Sequence, residues 1–201
     1  MANLYLALVH YPVLNRHGEV VASAITTIDL HDLGRTARTY DLPACYVVTP
    51  LADQIDLAKR LIAHWTEGVG GQLHPTRKQA LELLVLVRSI EEAVADIRKR
   101  EDRSPEIWAT SARLKSSPKL LGYRQAGTRL KEGSEPVLLL LGTAWGLAPE
   151  LFERAHRILE PIRANSSYNH LSVRCAAAIM VDRLLGDNDR YEGTEDDSHG
   201  H

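Results

Sequence analysis

The sequence predicts an α/β fold with a mostly parallel sheet and helices on both faces. Three observations carry that expectation. Compact apolar runs alternate with amphipathic stretches along the chain. The apolar runs are nearly continuous, which suits strands covered on both faces. No internal repeat and no convincing linker divides residues 1–186, so they read as one domain.

Leu4–Val9 (LYLALV) is the first strand-like run. Residues 29–40 read as a helix, with Leu30, Leu33, Ala37 and Tyr40 at helical spacing and Asp29 as the cap. Residues 45–49 are β-branched and flanked by prolines, as a buried strand would be. Residues 53–65 are amphipathic, with Ile55, Ala58, Leu61, Ile62 and Trp65 on one face. Residues 67–75 form a glycine-rich break in which Gly68, Gly70 and Gly71 read as a flexible loop. Residues 81–87 follow as a strand, although the leading TRKQAL also suits a helix. A helix over 90–100, a short strand over 107–110 and a basic helix over 118–131 come next. Residues 137–141 (VLLLL) are the most hydrophobic strand. A short helix near 149–155, a short strand over 158–161 and an alanine-rich helix over 171–185 complete the domain.

No apolar run reaches the roughly 18 residues of a membrane span. The amino terminus lacks a basic segment before its apolar run, so no signal peptide and a cytoplasmic location are expected. Two cysteines, Cys45 and Cys175, make no disulfide framework and read as buried thiols. The nine histidines lack metal-ligand spacing, so no metal is expected.

The net charge of -2 hides an uneven distribution. Residues 187–201 hold six acids against one base and read as a disordered acidic tail. Residues 98–131 hold ten bases and three acids. That stretch suits either phosphate tracking or a solvated helical face.

In open α/β sheets ligands sit beyond the carboxyl ends of the strands, here after Val9, Thr49, Val87, Thr110, Leu141 and Pro161. No GxxxxGK[ST] and no GxGxxG follows a strand, which excludes the common phosphate loops. One glycine motif is well placed: residues 141–147 (LGTAWGL) follow the strongest strand. Its backbone could read an adenine edge while Trp145 and Leu147 enclose apolar surface. Residues 167–178 (SYNHLSVRCAAA) then open a helix with small residues, where free N–H groups favour polar ligand atoms. An ordinary capped helix is the plain alternative.

The order of these elements resembles the SPOUT class of RNA methyltransferases, and more closely a little-characterised bacterial branch of it. The matching words are LYLALVHYPVLN at 4–15, DLHDLGRTARTY at 29–40, LLGTAWGL at 140–147 and YNHLSVRCAAAIMVDRLLG at 168–186. The resemblance implies a carboxyl-terminal trefoil knot and methyl transfer from S-adenosylmethionine to tRNA or rRNA. It also implies a homodimer, to which the apolar Ala176, Ala177, Ile179, Met180 and Leu184 of the last helix independently point. The implied cofactor contacts are Thr110, Leu141, Gly142, Thr143, Gly146, Leu147, Ile158, Tyr168, Asn169, Leu171, Ser172 and Ala176. Ribose-methylating members carry N-x5-R-T near their start; this chain has Asp29-x5-Arg35-Thr36, which leaves ribose specificity open.

Arg35 is too basic for a proton acceptor and suits a phosphate or an oxyanion. Asp29, His31 or His170 could accept a proton; the plain alternative is that Asp29 only caps its helix and that His31 and His170 are only surface or packing residues. Arg35 could equally pair with Asp29 or Asp32 on its own helix. Two other readings compete: a non-catalytic module binding S-adenosylmethionine or a nucleotide, and a Rossmann-like oxidoreductase or hydrolase. The latter lacks both the dinucleotide glycines and a GxSxG turn.

Overall fold

A computed structural model describes residues 2–114, 116–166 and 168–186. The expected acidic tail, 187–201, lies outside the described residues. In chain order the elements are β1 (Leu4–Val9), β2 (Val13–Leu14), β3 (Val20–Val21), α1 (Thr27–Thr39), β4 (Cys45–Val48), α2 (Ala52–Thr66), α3 (Val69–Leu73), α4 (Pro75–Leu81), β5 (Leu84–Val87), α5 (Ile90–Glu101), β6 (Glu106–Thr110), β7 (Leu120–Leu121), α6 (Tyr123–Glu132), β8 (Val137–Gly142), α7 (Pro149–Arg154), β9 (Arg157–Leu159) and α8 (Val173–Leu185).

Seven strands form one sheet in the order β5-β4-β1-β8-β6-β9-β7, and every pairing in it is parallel. The α/β expectation therefore holds. The central pair runs in register from Leu4 opposite Val137 to Val9 opposite Gly142. All six residues of β1 are buried because alternate side chains enter two different cores. Leu4, Leu6 and Leu8 join Leu139 and Leu141 beneath Leu30 and Leu33 of α1 and Val181 and Leu184 of α8. Tyr5, Ala7 and Val9 join Leu138 and Leu140 beneath Ile90, Ala93 and Ile97 of α5 and Leu151 of α7. A sheet with two buried faces explains why its strands read as unbroken apolar runs.

Several sequence expectations need correction. Thr26, not Asp29, caps α1: its hydroxyl accepts from the Asp29 N–H at 3.3 Å and donates to the Asp29 carboxylate. The glycine-rich break is not a flexible loop but the short helix α3. A Cβ at Gly71 would lie 2.3 Å from the Trp65 carbonyl oxygen, so that glycine serves close packing against α2. The TRKQAL segment is helical in α4, with Pro75 in the first turn where its missing N–H costs nothing. Cys45 is buried, which pushes its thiol pKa up to about 12, but Cys175 is exposed. It lies on the first turn of α8, away from the sheet. The small antiparallel pair β2–β3 had no signal at two residues per strand.

Candidate active site

The chain crosses over so that β1, β8 and β6 lie side by side, and the cleft opens at their carboxyl ends. Its volume is about 430 Å³, within the range of small-molecule sites. The starts of α1 and α8 close its sides, presenting Thr26 and Asp29 from one and Ser172, Val173, Arg174 and Ala176 from the other.

The glycine loop forms one wall. Its turn needs positive φ at Ala144 (50°) and Gly146 (107°). A Cβ on Gly142 would approach the Leu147 nitrogen to 2.7 Å, so the tight turn admits no side chain there. At Gly146 the space is open and the backbone angle, not crowding, calls for glycine. The loop is zipped to the segment after β1. Leu14 N–H donates to the Gly146 carbonyl (2.9 Å), Trp145 N–H to Leu14 (3.0 Å) and Ala148 N–H to Pro12 (3.2 Å). Two of the words that carry the family resemblance are thus one hydrogen-bonded unit.

The facing wall is the approach to α8. Ser172 caps that helix by accepting from the Cys175 N–H at 3.4 Å. Asn169 Nδ2 donates to the Ala112 carbonyl at 3.0 Å, tying this wall to the loop after β6. In that loop Arg113 lies over the Trp145 ring at 4.9 Å, a cation–π contact at the cleft mouth. Thr110 donates its hydroxyl to the Leu140 carbonyl at 2.8 Å.

Of the expected cofactor residues, Thr110, Leu141, Gly142, Thr143, Gly146, Asn169, Leu171, Ser172 and Ala176 line the cleft, together with Asp29 and His170. Leu147, Ile158 and Tyr168 are not among its lining residues. Leu147 and Ile158 are buried in the core on the α5 and α7 face of the sheet. Tyr168 is 74% exposed, with its ring edge-on to His170 at 5.2 Å.

Asp29, only 7% exposed, is more than a helix-start residue. Arg174 reaches it at 3.3 Å and Asp32 at 3.2 Å. Arg174 thus takes the carboxylates that Arg35 might have paired with. Arg35 is instead exposed and pairs with no carboxylate among the described residues. It lines a second, open groove with Arg38, Thr39, His74, Thr76, Arg77 and Ala80. Arg38 there pairs with Asp41 at 3.0 Å, and Arg77 stacks on Trp65 at 4.6 Å. His31 meets the edge of the same indole at 5.5 Å; burial, then Arg77, lowers its pKa and keeps it uncharged at neutral pH.

Four bases of the stretch over 98–131 are engaged within the fold. Lys119 Nζ donates to three backbone carbonyls, Arg129 pairs with Glu106, Arg100 with Asp96 and Arg103 with Glu135. Residues that sequence reasoning missed include His10, Ser23, Arg113 and Arg174, all lining the cleft. His10 and Arg113 follow Val9 and Thr110, strand ends that the sequence did mark; Ser23 carries no sequence signal.

Residues 3–186 match the family model described as SAM-dependent RNA methyltransferase. A tRNA (guanine-N(1)-)-methyltransferase of Oleidesulfovibrio alaskensis is 49% identical over 185 residues, covering 92% of this chain and 42% of that protein. The chain thus spans less than half the length of that curated relative. An uncharacterized protein of Aquifex aeolicus is 35% identical over 186 residues, with 92% and 90% of the two chains covered. Among solved structures, a TrmH/SpoU tRNA modifying enzyme of A. aeolicus superposes with a TM-score of 0.54 at 13% identity, covering 96% of this chain and 78% of that one. That likeness is one of fold.

Proposed function

The chain belongs to the SAM-dependent RNA methyltransferase family, and from that premise we propose that its cleft seats S-adenosylmethionine for methyl transfer to a nucleotide of tRNA or rRNA. The observation that carries this reading is the convergence of the glycine loop and the α8 start on one cleft at the ends of β1, β8 and β6. The residues present suit the cofactor. Leu141, Leu171, Met180 and Trp145 offer apolar surface, and the Asp29–Arg174 pair offers polar groups of both signs at the same cleft. When bound, the cofactor supplies an activated methyl group on a cationic sulfur. The protein's task is then mainly alignment of donor and acceptor.

In this reading Asp29 and His170 are the candidate proton acceptors at the cleft, and Arg35 serves the RNA. Arg35 and Asp29 are six residues apart on α1, about 9 Å along its axis at 1.5 Å per residue. With Arg77 close by, Arg35 suits a phosphate group of an RNA strand passing the cleft. Three apolar side chains near the cleft mouth, Trp145 (49% exposed), Leu171 (48%) and Tyr168 (74%), support a second copy of the chain completing the pocket. The trefoil knot and a cytoplasmic location belong to the same proposal. Action on RNA is carried over from the relative, but its guanine N1 specificity is not. More than half of that protein lies outside the match and is long enough for another domain.

Calorimetry with S-adenosylmethionine and transfer of labelled methyl into bulk tRNA and rRNA test the proposal together. Binding with incorporation into one RNA class is the expected result. Binding without incorporation into either would favour the non-catalytic module. Arg35→Ala should bind cofactor normally yet transfer methyl about a hundredfold more slowly, the scale of one lost charge-stabilising group. Arg35→Lys should also be impaired, since an ammonium lacks the guanidinium fork. Near-parental turnover by Arg35→Ala would remove Arg35 from the active site. A concentration-independent monomer in ultracentrifugation would refute the shared pocket.

A further inference from the structure

His10 lies directly beyond β1 and has no role in the reading above. Its backbone is fixed in both directions: its N–H donates to Val48 at 2.9 Å, and its carbonyl accepts from Ser23 at 2.8 Å. The residue is 1% exposed, yet it lines the cleft. Nδ1 lies 2.9 Å from Ser23 Oγ, whereas Nε2 is buried without a hydrogen-bond partner among the described residues. Such an orphan is costly unless a ligand completes it.

The tautomer follows from the chain of donors. The Val9 carbonyl can only accept, so the Thr143 hydroxyl donates to it at 2.9 Å. Thr143 Oγ1 then accepts from the Ser23 hydroxyl at 2.5 Å, whose other acceptor, the His10 carbonyl, is farther away at 3.5 Å. Ser23 Oγ, its proton committed, accepts in turn from His10 Nδ1–H. Burial lowers the imidazole pKa to about 4, with Asp29 opposing that shift, so the ring is neutral. Nε2 is left with a bare lone pair on a buried ring that lines the cleft.

We propose that His10 Nε2 accepts a hydrogen bond from an amino or hydroxyl donor of the ligand in the cleft, with Ser23 and Thr143 as its positioning residues. The inference rests on the proposed function, because both the cofactor and the target nucleotide carry such donors. His10 is a specificity group: a ligand that lacks the donor leaves the lone pair buried and unmade.

Nitrogen NMR of the full chain with labelled imidazoles tests this directly. In the free protein the Nε2 resonance is expected at the position of an unprotonated nitrogen. It should move toward the hydrogen-bonded range on adding S-adenosylmethionine if the donor belongs to the cofactor. It should move only on adding bulk tRNA or rRNA if the donor belongs to the substrate. Ser23→Ala should redistribute the tautomers, which a purely space-filling histidine would not report. His10→Phe should weaken whichever ligand moves the resonance about tenfold, and His10→Gln, whose amide oxygen accepts, should recover part of the loss. A resonance that stays still in both arms, with calorimetry registering the cofactor, overturns this inference and leaves the proposed function standing. Absence of cofactor binding and of methyl incorporation in the parent protein overturns both.

Discussion

The glycine-loop wall is fastened to the segment after β1 by three backbone hydrogen bonds and an internal hydroxyl–imidazole relay, whereas the α8 wall is joined to its neighbours by side chains, the Asn169 amide to the loop after β6 and Arg174 to α1. The first wall is backed by two sheet strands and carries its turn in fixed backbone angles. The second presents Tyr168 and Leu171 to solvent. The comparison separates two tasks. A wall built from backbone can hold a ligand's shape before it arrives; a wall of exposed side chains is suited to being finished by a partner or by the ligand itself.

The largest expected effect tests the relay inside the rigid wall. The His10 pKa of about 4 lies below the ordinary 6.5, so the unfolded chain binds a proton at higher pH than the folded one. The stability this neutral ring contributes is full above about pH 6.5 and is lost as pH falls toward 4. Two and a half units correspond to about 3 kcal/mol across that window. Urea unfolding from pH 7.5 to 4.5 should show that loss, and His10→Gln should flatten it. His31 is shifted in the same direction and will leave a residual slope. An unchanged slope in His10→Gln would mean that the ring is not buried neutral and the wall is looser than described.

Next in size is crowding of the turn. A valine at position 142 would place its Cβ 2.7 Å from the Leu147 nitrogen and 3.0 Å from its Cγ. Accommodating it should cost about 1–3 kcal/mol, or about 5- to 150-fold in cofactor affinity if the loop yields. Calorimetry measures the affinity and thermal unfolding the stability. Parental values for both would show that the loop deforms freely, and the contrast between the walls would collapse.

The two walls also differ in how legible they were in the sequence. The order of elements, the central strands and the glycine loop follow from patterns local in sequence: apolar runs, a strand-ending glycine pair, small residues opening a helix. His10 and Arg174 were not read, because their roles come from neighbours distant in the chain. His10 depends on Ser23 and Thr143, and Arg174 on Asp29 and Asp32. Long-range pairing also explains the misreadings. Asp29 resembles a cap, but the chain provides Thr26 for that purpose and turns the carboxylate to Arg174. Gly70 and Gly71 resemble a flexible loop because composition does not reveal the α2 surface they pack against. Within the basic run over 98–131, the partners of Lys119, Arg103 and Arg129 likewise lie elsewhere in sequence.

The smallest expected effect falls on the second wall. Asn169→Ala removes the hydrogen bond to the Ala112 carbonyl, an exposed one, so the net loss should be about 0.5–1 kcal/mol or less. Global stability should hardly change, since no core residue depends on that bond. Cofactor affinity should fall by a factor of about 2 to 5, because the approach to α8 must then be ordered by the ligand. If a second copy closes this wall, the deficit should shrink as protein concentration rises and the dimer supplies the missing order. A deficit that is independent of concentration would place the closing contact within one chain. A drop in thermal stability comparable to that of Gly142→Val would show that both walls are equally built in, and the partner would lose its role as the element that finishes the site.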